Sequence, residues 1–260
     1  MTSELPSQTA LTAAAARAAH LLVDAEPRIF TDPLAARLLG DRAEELLAYH
    51  ELHGEHPILA GARAQVACRS RVAEDLVEGF DRYVVLGAGL DSFAYRANNV
   101  EVVEIDRPAT QKWKKQALGK AGIPIPENVT YRSSVTEVNG TGRTLVSWLG
   151  VTMYLTADEL ETTLSALPPC ELVVDHMLPA GLRDAAGDAY VEAVAPVAAG
   201  NGEPWRSFLS PGDMAALLDE HGFVVVRQLR QRDIPGMLDR PDALRPSELS
   251  VITHARHRLS

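Results

Sequence analysis

The hydrophobic positions divide the chain into a helical first part and a later alternation of short apolar runs with helices. Apolar residues recur at helical spacing from Thr9 to Asp24, and a second helical stretch runs from Pro57 to about Gly79. After Asp81 the apolar runs are short and continuous, as in strands that are buried on both faces of a parallel sheet. The pattern predicts one domain, in which residues 1–80 form a helical cap and residues 81–260 form the core.

Seven apolar runs are predicted as strands, and helices are expected to alternate with the first five. The runs cover 83–86, 100–105, 129–131, 144–148, 172–174, 223–226 and 249–254. The last two are joined by a loop, so they are predicted to pair antiparallel beside an otherwise parallel sheet. Helix starts are predicted at Asp32-Pro33, at Thr156 with Glu159 as a capping box, and at Ser210-Pro211. The predicted fold is α/β, with a seven-stranded, mostly parallel sheet.

A glycine-containing turn follows the first predicted strand. Gly87-Ala88-Gly89 lies where that strand is expected to lead into the first helix of the core. Glycines let the backbone fold tightly and let a ligand approach the main chain, and a helix N-terminus favours an anionic group. Ser92 occupies the position of the third glycine in a dinucleotide fingerprint, so that pattern is incomplete. The turn indicates a nucleotide-type site only together with a second feature.

The second feature is Asp106, which ends the second predicted strand 17 residues after Gly89. An acid at this place accepts two hydrogen bonds from the hydroxyls of a ribose. The alternative is a helix cap, since Pro108 opens a helix that is predicted to run to about Lys120. Together the glycine turn, the terminal acid and the antiparallel last strand favour S-adenosylmethionine over NAD as the cofactor.

Charge and cysteine content narrow the range of partners. The chain has 25 Lys and Arg against 35 Asp and Glu, a formal net charge of −10, which argues against nucleic acid or an anionic membrane and favours a small molecule. Cys68 and Cys170 lie far apart and predict neither a metal site nor a disulfide. Residues 1–4 lack the features of a signal peptide, and no apolar run is long enough to span a bilayer. We expect a cytoplasmic protein, and the sequence leaves its oligomeric state open.

Several short motifs occur in order along the chain. They are Thr9-Ala10-Leu11, Ala16-Arg17-Ala18, Thr31-Asp32-Pro33-Leu34-Ala35, Arg69-Ser70-Arg71, Gly87-Ala88-Gly89-Leu90-Asp91 with Tyr95-Arg96, Glu104-Ile105-Asp106 with Pro108, and Gly150-Val151-Thr152-Met153-Tyr154-Leu155. In this combination the chain resembles the leucine carboxyl methyltransferase family from Thr9 to about Arg256. Its bacterial branch, often found beside natural-product pathways, is the more similar one.

The resemblance implies a class I methyltransferase (Rossmann-like) fold that binds S-adenosylmethionine across the carboxyl ends of the first, second and fourth strands. In that arrangement Gly87 and Gly89 pass under the methionine part of the cofactor, and Asp106 holds its ribose. The residues to which the resemblance assigns cofactor binding are Arg69, Arg71, Gly87, Ala88, Gly89, Asp91, Asp106, Arg107, Ser134, Val135 and Leu149.

The two arginines of this set have an alternative explanation. By the resemblance Arg71, with or without Arg69, pairs with the methionine carboxylate, for which a planar guanidinium is well suited. The alternative is an ion pair with Glu74 or Asp75, which lie within one turn of the same predicted helix.

The sequence departs from the family pattern at two places. Ser133-Ser134-Val135 stands where the family usually has an Asp-Leu pair near the adenine, so a hydroxyl replaces a carboxylate. Leu149 stands where the family usually has an acid that helps to position the amino group of the cofactor. The second departure is compatible with looser cofactor binding, with another group in that role, or with a protein that has lost turnover.

The methyl acceptor decides which side chains are needed for catalysis. A carboxylate is already ionised at neutral pH and needs a cationic or hydrogen-bonding clamp, for which Arg17 and Tyr154 are the candidates. A hydroxyl needs a base, and His176 is the candidate, although a hydrogen bond to Asp175 or to a carbonyl explains this histidine as well. Trp205 could line the acceptor pocket, or it could be part of the packing.

These interpretations predict an S-adenosylmethionine-dependent O-methyltransferase that acts on a small carboxylic acid. Two alternatives stay open. One is a hydroxyl or nitrogen acceptor, and the other is a binding or scaffold protein that keeps the cofactor fold without turnover.

Overall fold

A computed structural model describes residues 7–97, 99–138 and 142–259. Residues 1–4, from which the absence of a signal peptide was predicted, lie outside these ranges. Within them, no helix is long and apolar enough to cross a membrane. The described part of the chain also contains no group of three or more His, Cys, Asp or Glu side chains that could hold a metal ion.

In the described part of the chain, four α-helices precede the first strand and four more are distributed through the core. The α-helices are α1 Gln8–Val23, α2 Ala35–Leu38, α3 Ala43–Leu52, α4 Pro57–Asp75, α5 Pro108–Lys120, α6 Ala157–Ala166, α7 Ala185–Gly200 and α8 Pro211–Glu220. The predicted capping box of Thr156 and Glu159 forms at α6, and the predicted start at Ser210-Pro211 is that of α8, where Ser210 and Asp213 form a capping box that was not predicted. The sequence analysis did not identify α3 or α7.

Seven strands form one sheet, and all seven were predicted. They are β1 Arg82–Leu86, β2 Glu101–Ile105, β3 Val129–Arg132, β4 Thr144–Trp148, β5 Glu171–Met177, β6 Phe223–Leu229 and β7 Ser250–His257. Their spatial order is β3-β2-β1-β4-β5-β7-β6. The first five pair in parallel, whereas β7 lies between β5 and β6 and is antiparallel to both. The predicted fold class, with its antiparallel last strand, is confirmed.

Alternate residues of the central strands face two separate cores. One face packs on α4, with Val85 and Val173 beside Ala64. The opposite face packs on α6 and α8, with Val84 and Val174 among its buried residues. Because neighbouring residues of a strand point to opposite faces, this pattern also determines on which side each functional side chain of β5 lies.

Two local predictions were wrong. The glycine turn was expected to lead into a helix, but among the described residues between β1 and β2 only a 3-10 turn, Phe93–Tyr95, is present. The Oδ1 atom of Asp91 accepts from the backbone N–H of Phe93, a local bond that competes with helix formation. Pro33 was expected to open a helix, but α2 begins at Ala35. The turn therefore lacks the helix N-terminus that had been expected to favour an anion.

Candidate active site

The glycine turn lies at the carboxyl end of β1 and closes against the end of β2. The backbone N–H groups of Gly87 and Ala88 both donate to the carbonyl of Ile105, at 2.8 and 3.1 Å. Gly87 is exposed and has a φ of +67°, a conformation that suits glycine. A Cβ at this position would lie 2.5 Å from Cγ2 of Val151, so a side chain does not fit here. The turn therefore exposes bare backbone at the edge of the sheet.

Asp106 is joined to this turn as the sequence predicted. Its Oδ2 atom accepts from the N–H of Gly89 at 2.8 Å, and its Oδ1 atom accepts from the N–H of Arg107 at 2.7 Å. The residue is half-buried, and each carboxylate oxygen has a second acceptor position beyond these bonds. The cap predicted as an alternative is not formed, since α5 has no side-chain cap bond. Asp106 is therefore fixed in place and still able to accept from a ligand.

The other residues assigned to the cofactor lie around this edge, and their contacts include a cap and core packing. Ser134 caps a 3-10 turn, Val135–Glu137, and Val135 is buried in the core with Ile105 and Trp148. The Leu149 side chain is half-buried against the core on the α4 side. Ala88 is buried, Asp91 is half-buried and the side chain of Arg107 is exposed. The structure brings these residues to one edge, and their individual roles stay predictions.

Arg69 lies at the neighbouring end of β4, where it forms a cluster with residues from β5 and from the turn that follows β4. Its Nη1 atom is 3.5 Å from Oδ2 of Asp175, and the Oδ1 atom of Asp175 accepts from the N–H of Gly150 at 2.6 Å. A Cβ on Gly150, whose φ is +68°, would lie 2.5 Å from Nη2 of Arg69. Burial raises the pKa of Asp175, against the opposing effects of Arg69 and the Gly150 N–H. This long contact leaves most N–H groups of Arg69 available to a ligand.

Aromatic side chains line the same region. Tyr154, Tyr190, Trp205 and Phe208 pack with Met153 around a small buried cluster. Burial raises the pKa of the Tyr154 hydroxyl, and it raises the pKa of Tyr190 to about 12, so both hydroxyls stay protonated and can donate. The ring of Tyr190 packs on Gly61 of α4, where a Cβ would lie 3.2 Å away. These contacts form a largely apolar wall with hydroxyl donors beside Arg69.

Arg17 is placed differently from the clamp that the sequence predicted. Its Nε atom donates to Oδ2 of Asp32 at 3.0 Å, and its Nη2 atom donates to the carbonyl of Leu90 at 2.5 Å. Asp32 also accepts from the hydroxyl of Ser92 at 2.6 Å and from the N–H groups of Leu34 and Ala35. These contacts join α1 to the chain that follows the glycine turn. We call Arg17, Asp32 and Ser92 the anchor network.

Two further candidates are not brought to the glycine turn or to Arg69. The Nε atom of Arg71 donates to Asp75 at 2.5 Å, which is the ion pair that the sequence analysis gave as the alternative. His176 points to the α8 face of the sheet, where its Nδ1 atom donates to the carbonyl of Leu209 at 3.0 Å. Burial lowers the pKa of His176 to about 4, so the imidazole is neutral. This geometry corresponds to the structural alternative for both residues.

Two acids whose charges act at Arg69 or Tyr154, Asp175 and Glu203, were not proposed as site residues by the sequence analysis. Asp175 is the third residue from the C-terminal end of a parallel strand, a place where ligand-binding side chains of α/β sheets collect, and this signal could have identified it. Glu203 lies in an irregular segment after α7, and no local pattern distinguishes it.

The strand order and the position of the site at the carboxyl edge of the sheet define the class of protein: a class I methyltransferase fold. A candidate methyltransferase from Thermobifida fusca has the same fold, with a TM-score of 0.57 at 17% identity over 92% of this chain and 97% of its own. A DUF574 family protein from Streptomyces avermitilis has a TM-score of 0.56 at 14% identity over 93% and 96% of the two chains. At these identities the similarity shows the fold alone.

The chain belongs to the leucine carboxyl methyltransferase family, whose model matches residues 10–167. A Bacillus subtilis protein, YktD, is 30% identical over 252 residues, which cover 88% of this chain and 82% of YktD. YktD is named as a candidate S-adenosyl-L-methionine-dependent methyltransferase. These matches confirm the predicted family, the predicted class of enzyme and S-adenosylmethionine as the predicted cofactor.

Proposed function

We propose that the protein transfers the methyl group of S-adenosylmethionine to the carboxylate of a small molecule and releases S-adenosylhomocysteine. The residues present fit this cofactor. The exposed backbone at Gly87 carries no side chain that would keep a ligand away, and Asp106 retains acceptor positions for two ribose hydroxyls. When bound, the cofactor supplies an electrophilic methyl group on a sulfonium.

The observation that supports a carboxylate acceptor is the position of His176. A hydroxyl acceptor needs a base within hydrogen-bond reach, and the predicted base is buried on the α8 face of the sheet with its Nδ1 proton donated to a carbonyl. A carboxylate needs no base, because it is ionised at neutral pH. The donor beside the aromatic wall is the protonated hydroxyl of Tyr154. We expect Tyr154 to donate to the acceptor and the neighbouring rings to bury the acceptor's apolar part.

Orientation and removal of water are the main contributions that these residues can make. Methyl transfer is a displacement in which the nucleophile approaches in line with the breaking bond, so a fixed acceptor lowers the entropic barrier. Removal of water from the carboxylate strengthens its attack on a cation. The apolar wall of Tyr190, Trp205 and Phe208 serves this purpose, while Arg69 and Asp106 hold the methionine and ribose parts of the cofactor.

A labelled-methyl assay distinguishes the acceptor classes. The protein is incubated with methyl-labelled S-adenosylmethionine and with matched sets of carboxylic acids, phenols and amines. A methyl ester releases volatile methanol in alkali, whereas methyl ethers and methylamines keep their label. We expect label that is volatile in alkali, from acids only. Label that is stable in alkali would contradict the carboxylate acceptor, and cofactor binding without product across the three sets would favour a scaffold.

The variant His176→Ala tests the same point independently. With a carboxylate acceptor, the folded variant should keep turnover within about threefold of the wild type, because no proton is removed in the transfer. A loss of about a hundredfold or more, with normal binding of S-adenosylhomocysteine, would indicate that His176 acts as a base.

A further inference from the structure

We propose that Glu203 binds the α-ammonium group of the methionine part of S-adenosylmethionine, opposite Arg69, which binds the α-carboxylate. This inference rests on the proposed cofactor site and assigns the amino-acid end of the cofactor to two side chains of opposite charge. Only Arg69 of the pair was among the candidates from the sequence.

Of the two carboxylate oxygens of Glu203, one accepts a hydrogen bond from the described part of the protein. Its Oε1 atom accepts from the hydroxyl of Ser7 at 2.7 Å. Its Oε2 atom is buried, and it has no hydrogen-bond partner within residues 7–97, 99–138 and 142–259. A buried carboxylate oxygen without a donor is unfavourable, because it loses its hydrogen bonds to water and gains none in exchange. This atom is therefore expected to face a ligand that donates hydrogen bonds.

The contacts of Glu203 place it beside the first turn of α1. The hydroxyl of Ser7, which Glu203 holds, also caps α1 by accepting from the N–H of Ala10 at 3.3 Å. Ala10 in turn lies over the glycine turn, since its Cβ would be 3.2 Å from a Cβ placed on Gly89. Glu203 is thus connected to the turn through a single helical turn of α1.

A second link between Glu203 and Arg69 is electrostatic and acts at Tyr154. Burial is the main cause of the raised pKa of its hydroxyl; Arg69 acts against this shift and Glu203 adds to it. Both charged side chains therefore act on the same hydroxyl, one as a cation and the other as an anion. A zwitterion such as the methionine end of the cofactor complements this pair, whereas a ligand with a single charge would leave one member unpaired.

Asp175, the acid that contacts Arg69, is not available for this role. Asp175 uses one oxygen on the Gly150 N–H, and its other oxygen faces Arg69. At the end of β4 the side chain is that of Leu149, which carries no charge. An ammonium group offers three N–H donors, of which one suits the free Oε2 atom of Glu203.

Calorimetry with two ligands tests this assignment. The ligands are S-adenosylhomocysteine and its analogue without the α-amino group, and the proteins are the wild type, Glu203→Gln and Glu192→Gln. The glutamine keeps an acceptor for Ser7 but removes the charge, and Glu192 is an exposed residue of α7 that serves as the matched control. We expect Glu203→Gln to weaken S-adenosylhomocysteine about tenfold or more and to leave the affinity for the analogue within about twofold.

Three results would overturn the assignment. An unchanged affinity of Glu203→Gln for S-adenosylhomocysteine would show that Glu203 does not contact the ammonium group. Equal weakening of both ligands, or a similar loss in Glu192→Gln, would show a general effect of the substitution. Failure of the wild type to bind S-adenosylhomocysteine would contradict the proposed function itself, and only this result would do so. The melting temperature of each variant confirms that it is folded.

Discussion

Arg17, which is buried, and Arg69, which is half-buried, differ in how completely the protein uses their hydrogen bonds. Arg17 donates to Asp32 at 3.0 Å and to the carbonyl of Leu90 at 2.5 Å. Arg69 has one contact with Asp175, at 3.5 Å, and its side chain is 15% exposed. Both arginines lie in motifs that resemble the same family, so the sequence alone could not distinguish them.

The difference separates a structural ion pair from a binding residue. The partner of Arg17 accepts from several donors at once, which leaves it no capacity for a ligand. The partner of Arg69 holds the guanidinium from one side and leaves its other N–H groups unused. We infer that the anchor network holds α1 against the turn, while the Arg69 cluster binds the cofactor.

The largest expected effect is the loss of stability in Arg17→Met. This variant removes the arginine that donates to the carboxylate of Asp32, which is 2% exposed, and Arg96, 3.6 Å from Oδ1, is the charged partner that remains. Breaking a buried pair from one side costs about 3–5 kcal/mol of unfolding free energy. Urea unfolding of the two proteins measures the loss. A change below about 1 kcal/mol would show that the anchor network is not structural.

The next largest effect is expected on cofactor affinity, where variants of two arginines of α4 are compared. Arg69→Met should weaken S-adenosylhomocysteine about tenfold to a hundredfold, since a charge-assisted hydrogen bond is lost. The decarboxylated analogue should bind the variant and the wild type alike. Arg71→Met is the control, because its side chain pairs with Asp75 on the surface, and its affinity should change by less than about twofold.

The reverse result would exchange the roles of Arg69 and Arg71. If Arg71→Met lost affinity and Arg69→Met did not, the carboxylate would bind to Arg71, as the resemblance first suggested. Calorimetry at one salt concentration for all the proteins makes the values comparable.

The smallest effect is a difference in the pH dependence of stability. Burial acts to raise the pKa of Asp32, but Arg17 and Ser92 hold it below the ordinary 3.8, whereas burial raises the pKa of Asp175 above 3.8. Ionised Asp32 therefore adds stability that is present above pH 3.8 and is lost as the pH falls through its lowered pKa. The contribution of Asp175 to the unfolding free energy is present below pH 3.8 and is lost as the pH rises through the raised pKa of Asp175.

Asn variants make these opposite signs measurable. As the pH rises from 3 to 8, the wild type should gain stability relative to Asp32→Asn and lose stability relative to Asp175→Asn. Urea unfolding at intervals across this range gives both differences. If both differences in unfolding free energy changed with pH in the same direction, the pKa values of Asp32 and Asp175 would be shifted in the same direction, which would contradict this prediction.

The sequence predicted features that depend on short segments and missed those that depend on distant contacts. Short continuous apolar runs are typical of strands, and all seven strands were identified from such runs. Helix α7 was missed because Pro196 lies inside it and breaks the expected helical pattern. The missing helix after the glycine turn results from local bonds of Asp91 that compete with helix formation.

In the candidate site, too, contacts between neighbouring strand ends were predicted and contacts between distant segments were not. The Gly89–Asp106 contact follows from two strand ends that a parallel sheet places side by side, so it could be predicted. Arg69 and Arg71 differ by two positions, which places them about 200° apart around a helix, and the choice between them depends on what packs on each face. The contacts of Arg69 and Glu203 span 106 and 196 positions, and no local pattern contains them.

The central claim is that the glycine turn and Asp106 form the cofactor site, and calorimetry of S-adenosylhomocysteine with the wild type and Asp106→Ala tests it most directly. The variant removes both acceptors for the ribose hydroxyls, so we expect the dissociation constant to rise more than tenfold. The melting temperatures of the two proteins show whether the variant is folded. A folded Asp106→Ala with an unchanged dissociation constant would contradict the assignment of the ribose to Asp106.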